Sequence, residues 1–365
     1  MTKPLTLDMT DGDRAVYAER LAGWLPDRLI DVHTHVWLER FKSPRPPGAP
    51  ARTVSWPARV ASENPIEHLL ATYEALLPGR RVTPLIFTSL VDNLDEANAY
   101  IREAARRTGV PALLFSHPAW SGAETVRRVR EGGFLGVKSY LSLAPAYLPT
   151  GEIRIFDFFT PDQLAALDRH AAVVMLHIPR DARLRDPVNL AQLLEIEARY
   201  PRLQVIVAHV GRAYCDEDVG EAFRALAAAR RLAFDISANA NARVFRRLLE
   251  AVGPRRVLFG TDLPILRMRT RRICENGRYI NLVPRGLYGD VSGDPHLREV
   301  SGAEAEALTF FLYEELLAFR EAADAAGLDR SALEAVFYGN AAAMLERARA
   351  GLAGESPAEP GSGAP

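Results

Sequence analysis

Cysteine is scarce in this chain: Cys215 and Cys274 are the only two in 365 residues. That excludes a small disulfide scaffold. Two sparse thiols fit a reducing cytosol, and without CxxC spacing they indicate neither a thiol redox centre nor a cysteine-rich zinc site. Long hydrophobic runs are also missing. No stretch approaches the roughly 18 uninterrupted apolar residues of a membrane span. The polar segment Met1 to Asp13 carries no apolar h-region of a signal peptide, so a cytoplasmic location is expected. Nor is there an excess of one charge, with 45 Lys and Arg against 46 Asp and Glu. A nucleic-acid-binding or membrane-surface protein would show a basic surplus.

What remains is a chain with 48% hydrophobic residues, long enough to bury a large core. Apolar runs alternate with amphipathic stretches, the pattern of βα units around a parallel sheet. Eight strands are predicted: Leu29–His35, Val82–Leu90, Ala112–His117, Leu135–Leu141, Ala172–Ile178, Leu203–Val210, Leu232–Ser237 and Val257–Thr261. Most are rich in Val, Ile and Leu without strict alternation, as in strands covered on both faces. Helical spacing follows at Pro65–Leu77, Leu94–Arg107, Ala123–Glu131, Pro161–His170, Val188–Arg199, Asp216–Arg230 and Ala242–Val252. Thr160-Pro161 and Asn64-Pro65 read as helix starts. Two further helical stretches, Glu304–Ala326 and Ser331–Ala350, close the chain.

Eight β units, each followed by a helix, predict an α/β fold, a single (β/α)8 TIM barrel; an open doubly wound sheet is the alternative. The expected layout is an N-terminal segment with a short helix over 1–28, the barrel over 29–350 and a disordered tail over 351–365. Two interruptions mark the barrel. Lys42–Glu63, with Ser43-Pro44-Arg45-Pro46-Pro47, is a long loop after strand 1. Pro264–Gly302 is an Arg-rich insertion after strand 8. Such long connections are usually functional or disordered. Gly132-Gly133-Phe134-Leu135-Gly136 leads into a strand, not a helix, and so is no phosphate loop.

Polar groups end several of the apolar runs. Strand 1 ends in Asp31-Val32-His33-Thr34-His35. Residues two apart on a strand point to one side, so His33 and His35 face the barrel interior together or leave it together. Strand 5 ends at His177, strand 6 in Ala208-His209-Val210-Gly211, and strand 8 in Gly260-Thr261-Asp262. A lone strand-end histidine is usually structural. Four histidines and an aspartate, all where barrel active sites are built, are hard to obtain by chance. Neutral imidazoles in such a group suit zinc and similar ions.

In this order along the strands, His33-X-His35, His177, His209 and Asp262 resemble the signature of the amidohydrolase superfamily. The wording Val207-Ala208-His209-Val210-Gly211 and Phe259-Gly260-Thr261-Asp262-Leu263-Pro264 resembles its amidohydrolase-related branch. That branch includes the aminocarboxymuconate semialdehyde decarboxylase-like enzymes and the sugar-acid lactone hydrolases. The resemblance implies metal ligation by His33, His35, His177 and Asp262. It makes His209 either a ligand of a second ion or a catalytic residue beside the metal, and Asp262 a catalytic proton carrier. It implies one or two divalent ions, zinc being expected and manganese an alternative. Lys138 on strand 4 carries three readings: a carbamylated bridge between two metals, a contact to an anionic substrate, or a structural ion pair.

Arginines near the expected mouth suit carboxylate or phosphate; the candidates are Arg180, Arg212 and Arg267, and Arg269 lies close by. Trp37, Trp120, Tyr140 and Tyr214 follow strand ends and either wall the site or pack under loops. His117 is a further substrate-site candidate. A hydrolase acting with metal-activated water on an ester, lactone or amide of a small anionic substrate is the leading expectation. A decarboxylase of a small unsaturated or aromatic acid comes second, and a non-catalytic ligand-binding barrel third. A homo-oligomer is compatible with all three.

Overall fold

The computed structural model describes residues 5–42 and 52–354. The proline-rich stretch within 43–51 and the residues from 355 lie outside the described residues, and the tail expected to be disordered from Gly351 is corrected at its start, where the helix Asn340–Ala353 continues. Eight parallel strands are present where the apolar runs placed them: β1 (Arg28–His35), β2 (Arg81–Phe87), β3 (Leu114–Phe115), β4 (Gly136–Lys138), β5 (Val173–Leu176), β6 (Gln204–Val207), β7 (Ala233–Asp235) and β8 (Val257–Leu258). They form a (β/α)8 barrel in two hydrogen-bonded groups, β1-β2 and β3 through β8. Single bridges join the groups, Ile86 to Ala112 on one side and Thr34 to Leu263 on the other. The strands are short but almost wholly buried, with Val173, Val174, Met175 and Leu176 at 0% exposure. That burial explains why their sequences are continuously apolar.

Close strand approach has one visible cause. A Cβ at Gly136 would lie 1.9 Å from the Val173 carbonyl oxygen, so only glycine lets β4 pair with β5 and carry Lys138 inward. The helices begin at the expected signals. Thr160 caps Pro161–Asp168 and exchanges hydrogen bonds with Gln163. Asn93 caps Leu94–Thr108, which stops at Gly109 in the left-handed conformation.

Three expectations are corrected. Asp216–Arg230 is not one helix: a 3-10 turn at Asp216–Asp218 and a short helix at Ala222–Leu226 flank Gly220, whose φ of 50° breaks the helical path. Glu304–Ala326 is split into Ala303–Glu306 and Phe311–Ala325. Between them the backbone pairs with the insertion instead, through Thr270 N–H to Thr309 O and Phe311 N–H to Met268 O. The two cysteines are not separate thiols: Cys215 and Cys274 form a disulfide across 59 residues, which removes the cysteine argument for a reducing compartment.

The insertion after β8 is a small sheet of its own. β9 (Arg271–Glu275) runs antiparallel to β10 (Arg278–Pro284), and β11 (Leu297–Val300) lies on the far side of β10. Its base is anchored to the N-terminal helix Asp11–Ala15 by Arg269, 2.6 Å from the buried Asp13 carboxylate. The disulfide ties β9 to the loop after β6. Among the described residues no helix is long and apolar enough to cross a membrane.

Candidate metal centre

β1 brings His33 and His35 to the barrel mouth together, as their spacing allows. His33 is fully buried, and its Nδ1 lies 2.9 Å from Asp235 Oδ2. A carboxylate only accepts, so Nδ1 carries a proton, and in the neutral ring Nε2 is then a bare lone pair. That Nε2 is buried and has no hydrogen-bond partner among the described residues. His35 repeats the pattern, with Nδ1 donating to the Thr88 carbonyl at 3.3 Å. Its bare Nε2 then faces Asp262 Oδ1 at 3.1 Å. Two acceptors at that distance repel unless a cation or proton lies between them. Burial lowers the His35 pKa, although the Asp262 charge opposes this, and a low pKa disfavours the proton.

His209 gives a third bare nitrogen. Its Nδ1 donates to the Ser237 carbonyl at 3.0 Å, leaving Nε2 2.8 Å from His177 Nε2. Burial pushes the His209 imidazole down to about 4, against the charges of Asp262 and Asp235. His177 is driven well below its ordinary value, first by burial and then by the charge of Lys138. Ligand atoms of His33, His177 and His209 lie within 4.8 Å of one another, and so do those of His33, His35 and Asp262. Buried neutral imidazoles, an orphaned Nε2 and a carboxylate facing lone pairs fit a divalent cation in chemistry and position.

The backbone around His209 is unusual. The strand expected to reach Val210 stops at Val207, and His209, Val210, Gly211 and Arg212 all have φ between 51° and 63°. This is a left-handed turn, which costs roughly 1–2 kcal/mol per non-glycine residue. Asp235 offsets part of that cost by accepting the His209 backbone N–H at 2.8 Å. Asp262 also has positive φ, 59°, with its N–H bonded to His33 O at 2.7 Å. Strain at two candidate ligands is characteristic of functional sites. Burial alone would raise the Asp262 pKa, but the imidazoles of His35, His33 and His209 beside it favour the ionised carboxylate and hold it well below the usual carboxylate range.

Lys138 is fully buried, with Nζ against His177 Nδ1. No carboxylate forms an ion pair with it among the described residues, so the structural ion pair is not what the fold contains. Burial draws its amine down to about 7, against the attraction of Asp262 and Asp235. Tyr140 lies edge-on to His177, 4.9 Å between ring centres, and burial pushes its phenol up to about 12.

A cavity of about 490 Å³ opens over these groups, lined by His35, Trp37, Lys138, Tyr140, His177, His209 and Asp262 among others. Arg212 and Tyr214 border a second cavity of about 780 Å³ that shares His177, His209 and Tyr140. Three candidates fall elsewhere. Arg267 is buried under the mouth, donating to Thr72 Oγ1, Asn64 Oδ1 and the His68 carbonyl. It braces the helix Ile66–Leu76, and burial pulls its guanidinium down to about 10. Arg180 reaches the Glu152 carbonyl at 3.3 Å and lines neither cavity. His117 accepts the Ala119 N–H at 3.1 Å and lines neither cavity. Nearby, Trp120 packs under Arg128, and Arg269 is spent on Asp13.

Sequence reasoning missed Asp235 and Ser237. Asp235 orients His33 and the His209 turn, while Ser237 Oγ donates to Asp235 Oδ1 at 2.5 Å. The signal was available: an acidic residue ends the apolar run of β7, in the same place as the residues that were found. Asp31 is a second support. It accepts from Tyr73 and Thr261 hydroxyls at 2.7 and 2.6 Å, yet burial still pushes its carboxyl up to about 6.

No curated protein matches the chain. Among solved structures, an amidohydrolase from Burkholderia multivorans with bound Zn aligns with TM-score 0.57 at 14% identity, over 87% of this chain and 99% of that one. A probable 2-pyrone-4,6-dicarboxylic acid hydrolase from Acinetobacter baumannii with citric acid bound aligns at 0.53 and 14% identity, over 87% and 99%. A 2,6-dihydroxybenzoate decarboxylase from Rhizobium aligns at 0.50 and 12% identity, over 88% and 99%. At such identities these likenesses show the barrel fold and no more. The family model described as amidohydrolase, however, matches residues 30–347. With that match covering nearly the whole described barrel, the chain belongs to the amidohydrolase family of metal-dependent enzymes.

Proposed function

We propose that this protein is a metal-dependent hydrolase that adds water to an ester, lactone or amide bond of a small anionic substrate. One observation carries the reading: His33, His35 and His209 each spend Nδ1 on a protein oxygen, and the ligand atoms of His33 lie within 4.8 Å of those of His35 and Asp262 and of those of His177 and His209. The proposed ligands are His33, His35, His177 and Asp262, and the proposed ion is zinc, although manganese accepts the same donors. When bound, such an ion supplies Lewis acidity and a more acidic water.

Asp262 is the proposed general base. Held ionised, it takes a proton from water in the cavity and returns it to the leaving group. His209, kept neutral by burial, stands beside it to ligate or to pass that proton. Trp37 and Tyr140 confine the substrate. Lys138, drawn down to about 7, exchanges readily between ammonium and free amine at neutral pH. The amine is the form that donates to a substrate oxygen without carrying charge, and the form that adds carbon dioxide to give a carbamate.

The test combines elemental mass spectrometry with product analysis. Protein purified without chelator is expected to hold divalent metal and to hydrolyse members of a lactone, ester and amide panel. Loss of both in the His33→Ala, Asp262→Asn double variant is also expected. One ion per chain leaves Lys138 as the free amine; two ions assign the carbamate. Carbon dioxide release from hydroxylated aromatic acids, with the hydrolysis panel untouched, would replace the hydrolase with a decarboxylase.

A further inference from the structure

The metal-side cavity has a second arm that the metal chemistry does not use. It runs from His177, His209 and Tyr140 outward to the insertion after β8, and five arginines and three aspartates line it. Most of these side chains already have hydrogen-bond or ion-pair partners. Arg52 donates to four carbonyls from Ala144 to Leu148. Arg183 pairs with Asp218 at 2.6 Å, and Arg185 donates to the Glu217 carbonyl. Asp294 accepts the His296 N–H at 2.9 Å.

Two cations stand apart. Arg212 uses only Nη1, held by the carbonyls of Ile178, Pro179 and Arg180 at 2.9–3.4 Å. Its Nε and Nη2 have no hydrogen-bond partner among the described residues, so the guanidinium is fixed in place with donors to spare. The guanidinium of Arg278, at the start of β10, has neither hydrogen bond nor ion pair among the described residues. Carbonyl partners hold a guanidinium without cancelling its charge. Five arginines against Asp181, Asp218 and Asp294 leave the arm with a positive surplus. Tyr214 and Tyr279, 5.0 Å apart, form one wall of it, with Arg183 and Arg272 over their rings.

The covalent frame serves the same pair. Arg212 lies three residues before Cys215 and Arg278 four residues after Cys274, and these cysteines are bonded to each other. The disulfide thus ties the loop carrying one free cation to the hairpin carrying the other.

We propose that Arg212 and Arg278 form a specificity subsite for a carboxylate or phosphate group of the substrate, remote from the bond that reacts. The inference deepens the hydrolase reading and rests on it for the position of the reacting bond. The substrate is then elongated, with its reacting carbonyl over His209 and Asp262 and its anionic end in the second arm. Planar guanidinium groups bind either anion in a two-pronged manner.

Isothermal titration with glutarate and with inorganic phosphate tests this on the full chain, both zinc-loaded and zinc-free. Saturable binding is expected in both states, weakened about 10-fold or more by Arg278→Gln and by Arg212→Gln, and weakened further by salt. Arg278 is exposed on the hairpin, so its variant keeps the test valid if loss of Arg212 disturbs the loop. Tighter glutarate binding assigns a carboxylate; tighter phosphate binding assigns a phosphate. Wild-type affinity in Arg278→Gln, or binding that appears only with zinc, overturns the subsite. Arginine-dependent binding by a protein that takes up no metal would sink the hydrolase reading and leave the subsite standing.

Discussion

Asp235 shows how one buried carboxylate sets the chemistry of its neighbours. It fixes the proton on His33 Nδ1 and holds the backbone of His209, so two candidate ligands depend on it without its approaching the cavity. Asp235→Asn is expected to lower zinc affinity about 10- to 100-fold, measured by competition with a chromophoric chelator. Unchanged affinity would leave Asp235 as packing alone. Glu315 is a different case: fully buried, with neither carboxyl oxygen hydrogen-bonded among the described residues. Burial, then the charges of Asp31 and Asp235, raise its pKa well above the ordinary 4.5. The folded state therefore holds this proton more tightly than the unfolded chain. Stability falls as pH rises from 4.5 toward the raised value, by at most about 1.4 kcal/mol per pH unit. Glu315→Gln is expected to remove that part of the slope in urea unfolding from pH 5 to 8; parallel curves for variant and wild type would refute it. At this scale the candidate ligands stood out because each ends an apolar run. Arg267 was misread because chain position beside Asp262 does not say which way a side chain points. Asp235 was passed over because its role is hydrogen bonding to histidines, and that is invisible until β7 is placed beside β1 and β6.

Among the elements, the left-handed turn at His209 and the sheet after β8 carry the most consequence. The eight strands were legible because burial on both faces selects β-branched and apolar residues. The inserted sheet was not. β9 reads Arg271-Arg272-Ile273-Cys274-Glu275 and lies mostly in solvent, so no apolar periodicity announces it. The cysteine pair was equally opaque, since two thiols 59 residues apart meet only when the hairpin folds back over the β6 loop. Closing a loop of that length removes on the order of 4 kcal/mol of unfolded-chain entropy. The Cys215→Ala, Cys274→Ala double variant is expected to lose up to about that much stability in calorimetric unfolding, with faster hydrogen exchange in 271–284. A variant as stable as the wild type, with unchanged exchange there, would show that the hairpin holds by packing alone.

For the whole molecule, the eightfold alternation of apolar run and amphipathic stretch was enough to read the barrel, because repetition leaves few ways to bury every strand. How the ring is joined was beyond the sequence, since it depends on which backbone groups meet. The β1-β2 pair is set into the ring between two seams. Three backbone hydrogen bonds cross from β1 to the segment after β8: Val32 N–H to Phe259 O, His35 N–H to Leu263 O and Asp262 N–H to His33 O. The proposed ligands straddle the same line, with His33 and His35 on one bank and His177, His209 and Asp262 on the other. An ion held among them would be a rivet as well as a reagent, fastening the stave of the barrel that the sheet joins only by single bridges. Stripping the ion should loosen that stave before any other, so amide exchange in β1 and β2 is expected to quicken ahead of β4 to β6 on chelation and to slow again when zinc returns. Uniform quickening across all eight strands would mean that the rivet is not needed to hold the ring.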